Sequence, residues 1–114
     1  MKTPEDLVQA QVAAYNAQDI EAFLACYHPD CEFVPWNGEE ELRGLAAFRE
    51  AYSQLWRRAP RLQAHILQRM VVGRHVIDLE HLLHHVDGPR DPIAVVYETE
   101  GACIRRVHVI PHKD

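Results

Sequence analysis

Residues 8–33, VQAQVAAYNAQDIEAFLACYHPDCEF, constrain the fold of this chain more than any other stretch. Apolar residues recur at helical spacing on both sides of Asn16-Ala17-Gln18-Asp19, and His28-Pro29-Asp30 breaks the pattern before a strand-like run. Thr3 can cap the first helix, Pro4 suits its first turn, and Glu5 and Asp6 oppose the positive end of the helix dipole. Val8, Val12 and Tyr15 form its apolar stripe, with Leu7, Gln11 and Ala14 beside it. Asp19 is placed to cap a second helix whose apolar face is Ile20, Phe23, Leu24 and Tyr27, and Pro29 is expected to end it. A helix pair feeding a strand, with strands filling the C-terminal half, suggests a curved sheet closed over by helices around a pocket.

Cys31 to Trp36 reads as a short strand, and Asn37-Gly38 with Glu39-Glu40-Glu41 as a loop that Gly44 helps close. Leu45, Phe48, Tyr52, Leu55 and Trp56 mark a third helix; Arg57-Arg58 suit its negative end and Pro60 stops it. Beyond Pro60 the period changes to two. Leu62, Ala64, Ile66, Gln68, Met70 and Val72 share one strand face, Gly73-Arg74 turns, and His75 to Val86 runs back. Asp87 to Asp91 is a loop, Ile93 to Thr99 a strand, Glu100-Gly101 a turn and Cys103 to Ile110 the last strand. The order ααβαββββ, with helices segregated from hairpin-connected strands, is that of a single α+β domain over residues 1–114.

A net charge of -5, with only the doublets Arg57-Arg58 and Arg105-Arg106 as basic features, argues against a nucleic-acid partner. Cys26, Cys31 and Cys103 are odd in number and lack C-x-x-C spacing, so they read as free thiols in a reducing compartment. The N-terminus is too polar for a secretory signal and no apolar run approaches membrane-spanning length, so a cytoplasmic protein with no membrane partner is expected.

Glu80 is the best candidate for chemistry. Strand alternation groups Val76, Asp78, Glu80, Leu82 and His84 on one face. A carboxylate facing an apolar cavity has its pKa raised by desolvation, which suits a general acid or base. The competing reading is a salt bridge from Glu80 to Arg106 or Arg69 across the sheet. Arg106 and His108 share a strand face with Ile104 and Ile110; turned inward they would assist Glu80 on an anionic or carbonyl group, turned outward they would pair with acids on neighbouring strands or at a dimer face. Tyr15, Trp36, Tyr52 and Trp56 are candidate pocket aromatics, for which plain core packing is the alternative. His81 and His85 would make a metal pair only on a helix; on a strand, residues four apart lie ~13 Å apart, and no metal site is expected. Ser53 is the only serine and no nucleophile motif occurs, so cofactor-free acid–base chemistry is the expected class if the protein is an enzyme, and a non-catalytic homodimeric module with a vestigial pocket is the alternative.

The chain resembles the SnoaL-like branch of the nuclear transport factor 2-like superfamily. The resemblance is carried by Tyr15-Asn16-Ala17-Gln18-Asp19, Phe23, Tyr27-His28-Pro29-Asp30, Arg43-Gly44 leading to Phe48, Val76-Ile77-Asp78-Leu79-Glu80, and Gly101 followed by Ile104-Arg105-Arg106-Val107. It implies an α+β cone with a bent sheet and three helices around an apolar pocket for a small-molecule ligand, and a homodimer formed across the sheet. Ketosteroid isomerase and polyketide cyclases belong to that superfamily, as do members that only bind or scaffold. Measured against the isomerase, Gln11 stands where a tyrosine is needed, Val34-Pro35-Trp36 where the aspartate base is needed, and residues 94–96 are apolar where a protonated aspartate is needed. The resemblance therefore leaves Gln11 as a ligand contact and implies a route different from that isomerase.

Overall fold

The computed structural model describes residues 2–36, 41–85 and 87–110. The expected loop at residues 37–40 and the expected strand end at Val86 lie outside them. Helices α1 (Pro4–Ala17) and α2 (Ile20–Leu24) precede β1 (Tyr27–Pro35) and the two-residue β2 (Leu42–Arg43). Helix α3 (Gly44–Arg58) and strands β3 (Gln63–Val72), β4 (His75–Leu83), β5 (Ile93–Glu100) and β6 (Cys103–Ile110) follow. The expected element order holds, with β2 the only addition. The six strands form one open, curved sheet in the order β2-β1-β6-β5-β4-β3, antiparallel except for the β1–β6 pair. No helix among the described residues is long and apolar enough to cross a membrane.

The N-terminal caps form as the sequence predicts. Thr3 and Asp6 exchange side-chain-to-backbone hydrogen bonds in a capping box, and Asp19 accepts from the Ala22 amide. The Asn16-Ala17-Gln18 connection has a packing role. Asn16 holds the backbone of Ala64 from both sides, donating to its carbonyl at 3.0 Å and accepting from its amide at 2.7 Å, while Gln63 donates to the Asn16 carbonyl. Gln18, left-handed with φ 54°, reaches the Ala59 carbonyl at the end of α3. These bonds tie α1 to the start of β3 and the end of α3.

Helix α2 is shorter than expected. It ends at Leu24, and Tyr27 to Asp30 belong to β1 rather than to a helix ended by Pro29. Pro29 is tolerated because the β1–β6 ladder is irregular between Tyr27 and Glu32, leaving no regular bond that its missing N–H would break. Gly73 (φ 59°) and Gly101 (φ 61°) open the tight turns of the β3–β4 and β5–β6 hairpins, a conformation that costs other residues strain.

The core lies between the helices and the concave sheet face. Fully buried Val8, Phe23, Phe48, Leu62, Val76 and Ile104 fill it, and burying each phenylalanine contributes roughly 1.5–3 kcal/mol. Tyr15, Phe23, Tyr27, Phe48, Tyr52 and Trp56 form a continuous aromatic cluster with centroids between 4.6 Å (Phe23–Tyr52) and 6.2 Å (Tyr15–Tyr52), all tilted or edge-on.

Two β-bulges decide which residues face that core. In β3, Ile66 pairs with Glu80 but Gln68 pairs with Leu79, so Leu67 is the extra residue. Ala64 and Ile66 therefore face inward, whereas Gln68, Met70 and Val72 are turned outward and Arg69 inward. The single face expected from Leu62 to Val72 is split at that point. In β6, Thr99 pairs with Ile104 but Glu98 with Arg106. Ile104, Val107 and Val109 face the core, and Arg106 and His108 face out.

Candidate active site

A cavity of about 150 Å³ lies inside the cone. Helix α1 contributes Gln11 and Tyr15, α2 Phe23, and α3 Tyr52 and Leu55. The sheet contributes Tyr27 and Phe33 from β1, Glu80 and Leu82 from β4, Tyr97 with Ile93 and Val95 from β5, and Val107 and Val109 from β6. The wall is apolar and aromatic apart from Gln11, Glu80 and the phenol groups of Tyr15, Tyr27, Tyr52 and Tyr97.

Glu80 is 8% exposed, and no described residue makes a hydrogen bond or ion pair with its carboxyl group. Its pKa is raised to about 7, chiefly by burial, with nearby Asp78 adding to the rise and Arg69 partly opposing it. The carboxyl group is therefore poised to hold or release a proton near neutrality. Tyr15, Tyr27, Tyr52 and Tyr97 all feel the Glu80 charge, and burial drives each phenol well above its ordinary pKa, so all four stay protonated and able to donate. The Gln11 side chain is buried on the same wall, and its Oε1 has no hydrogen-bond partner.

Arg69 does not neutralise Glu80. The β3 bulge brings it to the concave face opposite Asp78, where its Nε and Nη2 donate at 2.7 and 2.9 Å to the two carboxylate oxygens. Its Nη1 donates to Gln9 of α1 at 2.9 Å. Asp78 is fully buried, so this fork-to-fork pairing compensates a charge that would otherwise be stranded. The salt bridge that competes with a chemical role for Glu80 thus belongs to its neighbour two residues back.

The other expected site residues divide cleanly. Gln11, Tyr15 and Tyr52 line the cavity with Glu80. Trp56 is buried behind the wall, 5.7 Å from Tyr15 and 5.5 Å from Phe23 by ring centroids, with its indole N–H unpartnered. Trp36 is 68% exposed just past β1, outside the pocket. His84 lies beyond the end of β4 with φ 61° and is exposed, because the strand alternation that groups it with Glu80 stops at Leu83.

Arg106 and His108 do not stand beside Glu80; the β6 bulge places them on the convex face. There Arg106 donates to Glu32 at 2.9 Å and His108 meets Glu98 at 2.7 Å, so both pair with acids on neighbouring strands. His81 contacts the Arg90 carbonyl, and His85 accepts from the Asp87 amide. No group of three His, Cys, Asp or Glu residues able to hold a metal occurs among the described residues.

Sequence reasoning misses Tyr27 and Tyr97 as wall residues. Tyr27 is hidden by its assignment to a helix. Tyr97 carries a usable signal, since it pairs with Val76 across the β4–β5 ladder and so shares the Glu80 face. Cys31, near the wall, is no hidden nucleophile: burial raises its thiol pKa to about 11.

Comparison with known proteins agrees with this architecture. Residues 8–109 match the SnoaL-like domain family. An uncharacterized cystatin-fold protein from Novosphingobium aromaticivorans is similar at 27% identity and a TM-score of 0.86, over 96% of this chain and 99% of that one. A nuclear transport factor 2-like protein of unknown function from Cytophaga hutchinsonii shares the fold at 16% identity and a TM-score of 0.82, over 97% and 91% of the two chains. A putative polyketide cyclase from Sinorhizobium meliloti does so at 16% identity and 0.82, over 91% and 93%. No curated protein matches the chain in sequence. With its fold shared end to end and nearly its whole length matched, the chain belongs to the SnoaL-like domain family.

Proposed function

We propose that this protein binds a small, largely apolar molecule in the cone cavity and that Glu80 exchanges a proton with it, without a cofactor. One observation carries the reading: a buried carboxyl group with no partner among the described residues opens onto an aromatic cavity. A structural carboxylate at such a depth is normally paired, as Asp78 is. The tyrosine phenols supply donors around it, so the isomerase-like or cyclase-like chemistry runs by a route different from that of ketosteroid isomerase. The volume limits the ligand to about one ring, since an engineered apolar cavity of about 150 Å³ accommodates benzene and drug-sized sites run from roughly 300 Å³ upward.

The test is a panel of one-ring ketones, enones and lactones, screened by ligand-observed NMR and for proton exchange into deuterated solvent. Binding with exchange that Glu80→Gln removes while the fold is retained supports the proposal. Proton exchange that Glu80→Gln leaves unchanged defeats the catalytic half of it.

A second reading is a non-catalytic homodimeric binding or structural module. The convex sheet face favours it, because Met70 and Val72 are 55% and 57% exposed there, with Leu79 and Ile110 nearby. A second copy laid across this face would cover them.

A further inference from the structure

The cavity wall is electrically one-sided. Among the described residues no lysine, arginine or histidine lines it. The groups facing Glu80 can be taken element by element. They are Tyr15 from α1, Tyr27 from β1, Tyr52 from α3, Tyr97 from β5, Arg69 from β3 and Asp78 from its own strand. Helix α2 and β6 present only apolar side chains there. The tyrosines remain neutral, and Asp78 and Arg69 answer each other through two hydrogen bonds. The Glu80 carboxylate is therefore the one charge left without a counterpart, in a space bounded by aromatic rings.

Building on the ligand-site reading above, we infer that the natural ligand is a small organic cation, an alkylammonium of about one ring in size, whose charge meets the Glu80 carboxylate and whose carbon skeleton meets the aromatic wall. A neutral ligand would leave the carboxylate desolvated and alone, and Glu80 would have to take up a proton to tolerate it. An ammonium ion removes that conflict. It gains N–H···O bonds to Glu80, and the electron-rich aromatic side chains of the wall attract its charge further. Gln11, whose buried amide oxygen lacks a donor, can turn to accept another ammonium hydrogen.

The experiment is isothermal titration calorimetry of the full chain with cyclohexylammonium and isobutylammonium, and with cyclohexanol as the neutral counterpart, between pH 5.5 and pH 8.5. An alkylamine stays protonated throughout this range. The expected result is that ammonium affinity climbs by up to about tenfold per pH unit below pH 7 and then levels off, because binding must expel the Glu80 proton. Buffers of different ionisation enthalpy should report that proton directly. Glu80→Gln should weaken ammonium binding at least tenfold and flatten its pH profile while sparing cyclohexanol.

If cyclohexanol binds and the amines do not, or if amine affinity rises toward acid pH, the cation assignment is wrong and the ligand-site reading survives. Silence from all three compounds at every pH overturns the cation assignment, and silence from the carbonyl panel as well overturns both.

Discussion

Arg69 meets Asp78 through two parallel hydrogen bonds of 2.7 and 2.9 Å, and not Glu80, which lies two residues further along the same inward face of β4. The extra residue in β3 sets this choice. Because Leu67 is inserted between the pairs Ile66–Glu80 and Gln68–Leu79, an apolar side chain stands opposite Glu80 and the guanidinium stands opposite Asp78. One carboxylate is structural and the other is left free for a ligand.

Removing one partner of the Arg69–Asp78 pair strands the other. Arg69→Met is predicted to cost about 3–5 kcal/mol of stability, with the double variant Arg69→Met/Asp78→Leu costing clearly less. Urea denaturation of the three proteins checks this. A double variant as unstable as the single one would mean that the pair contributes more than mutual compensation.

Glu80 makes stability depend on pH with a definite sign. Its folded pKa of about 7 lies above the ordinary carboxyl value of 4.5, so the native protein holds more protons than the unfolded chain between those limits. Its contribution is fully present below pH 4.5, declines as pH climbs to 7, and is then flat. The gap corresponds to about 3 kcal/mol. Glu80→Gln, which never ionises, should therefore gain on the wild type by roughly that amount between pH 4.5 and pH 8. A difference that stays constant across this range would place the Glu80 titration elsewhere.

How much of this was legible in the sequence depends on strand parity. Helix starts at Thr3 and Asp19, the α+β class, the order of elements and the inward face of β4 from Val76 to Leu82 all follow from capping residues and period. Parity is where the reading fails. A bulge carries no sequence signature at Leu67 or Arg105, yet each reverses every residue beyond it. That single cause moves Met70 and Val72 outward, brings Arg69 in, and carries Arg106 and His108 to the far side of the sheet. Tyr27 was lost to a different error, in which helical spacing outweighed the β-structure that the β6 ladder imposes. The approach of Tyr15, Tyr27 and Tyr52 to Glu80 from three other elements is a property of the folded cone and of no local pattern.

The convex-face placement of Arg106 and His108 has a direct consequence. His108→Ala and Arg106→Ala should leave cavity binding and its pH profile unchanged while weakening the Glu32–Arg106–Glu98 network. As a part-buried cluster at the sheet surface, that network should contribute about 1 kcal/mol per pair. Loss of ligand affinity in either variant would put those residues in communication with the cavity.

The apolar convex face yields a prediction about assembly. If a second copy covers Met70 and Val72, Met70→Glu should convert a dimer to a monomer at micromolar concentration with the fold intact. Light scattering after size exclusion, with circular dichroism as the control, reads both. A wild-type chain that is monomeric at high concentration removes the homodimer proposal.

Holding Asn16 against Ala64 is worth measuring because it joins the first helix to the sheet. Asn16→Ala leaves the amide and carbonyl of Ala64 without their side-chain partners. The predicted cost is about 2–4 kcal/mol, from two part-buried hydrogen bonds, read as a lower denaturation midpoint. A change below about 0.5 kcal/mol would show that water replaces Asn16 freely.

The central claim is that Glu80 is an unpaired carboxyl group opening onto the cavity. Its most direct test is a carbon-13 NMR titration of the glutamate side-chain carboxyls, with Glu80 assigned by its absence in Glu80→Gln. The account predicts a midpoint near pH 7 in the free protein, moving downward when an alkylammonium ion is added. A midpoint near the ordinary 4.5, unmoved by the amine, would contradict it.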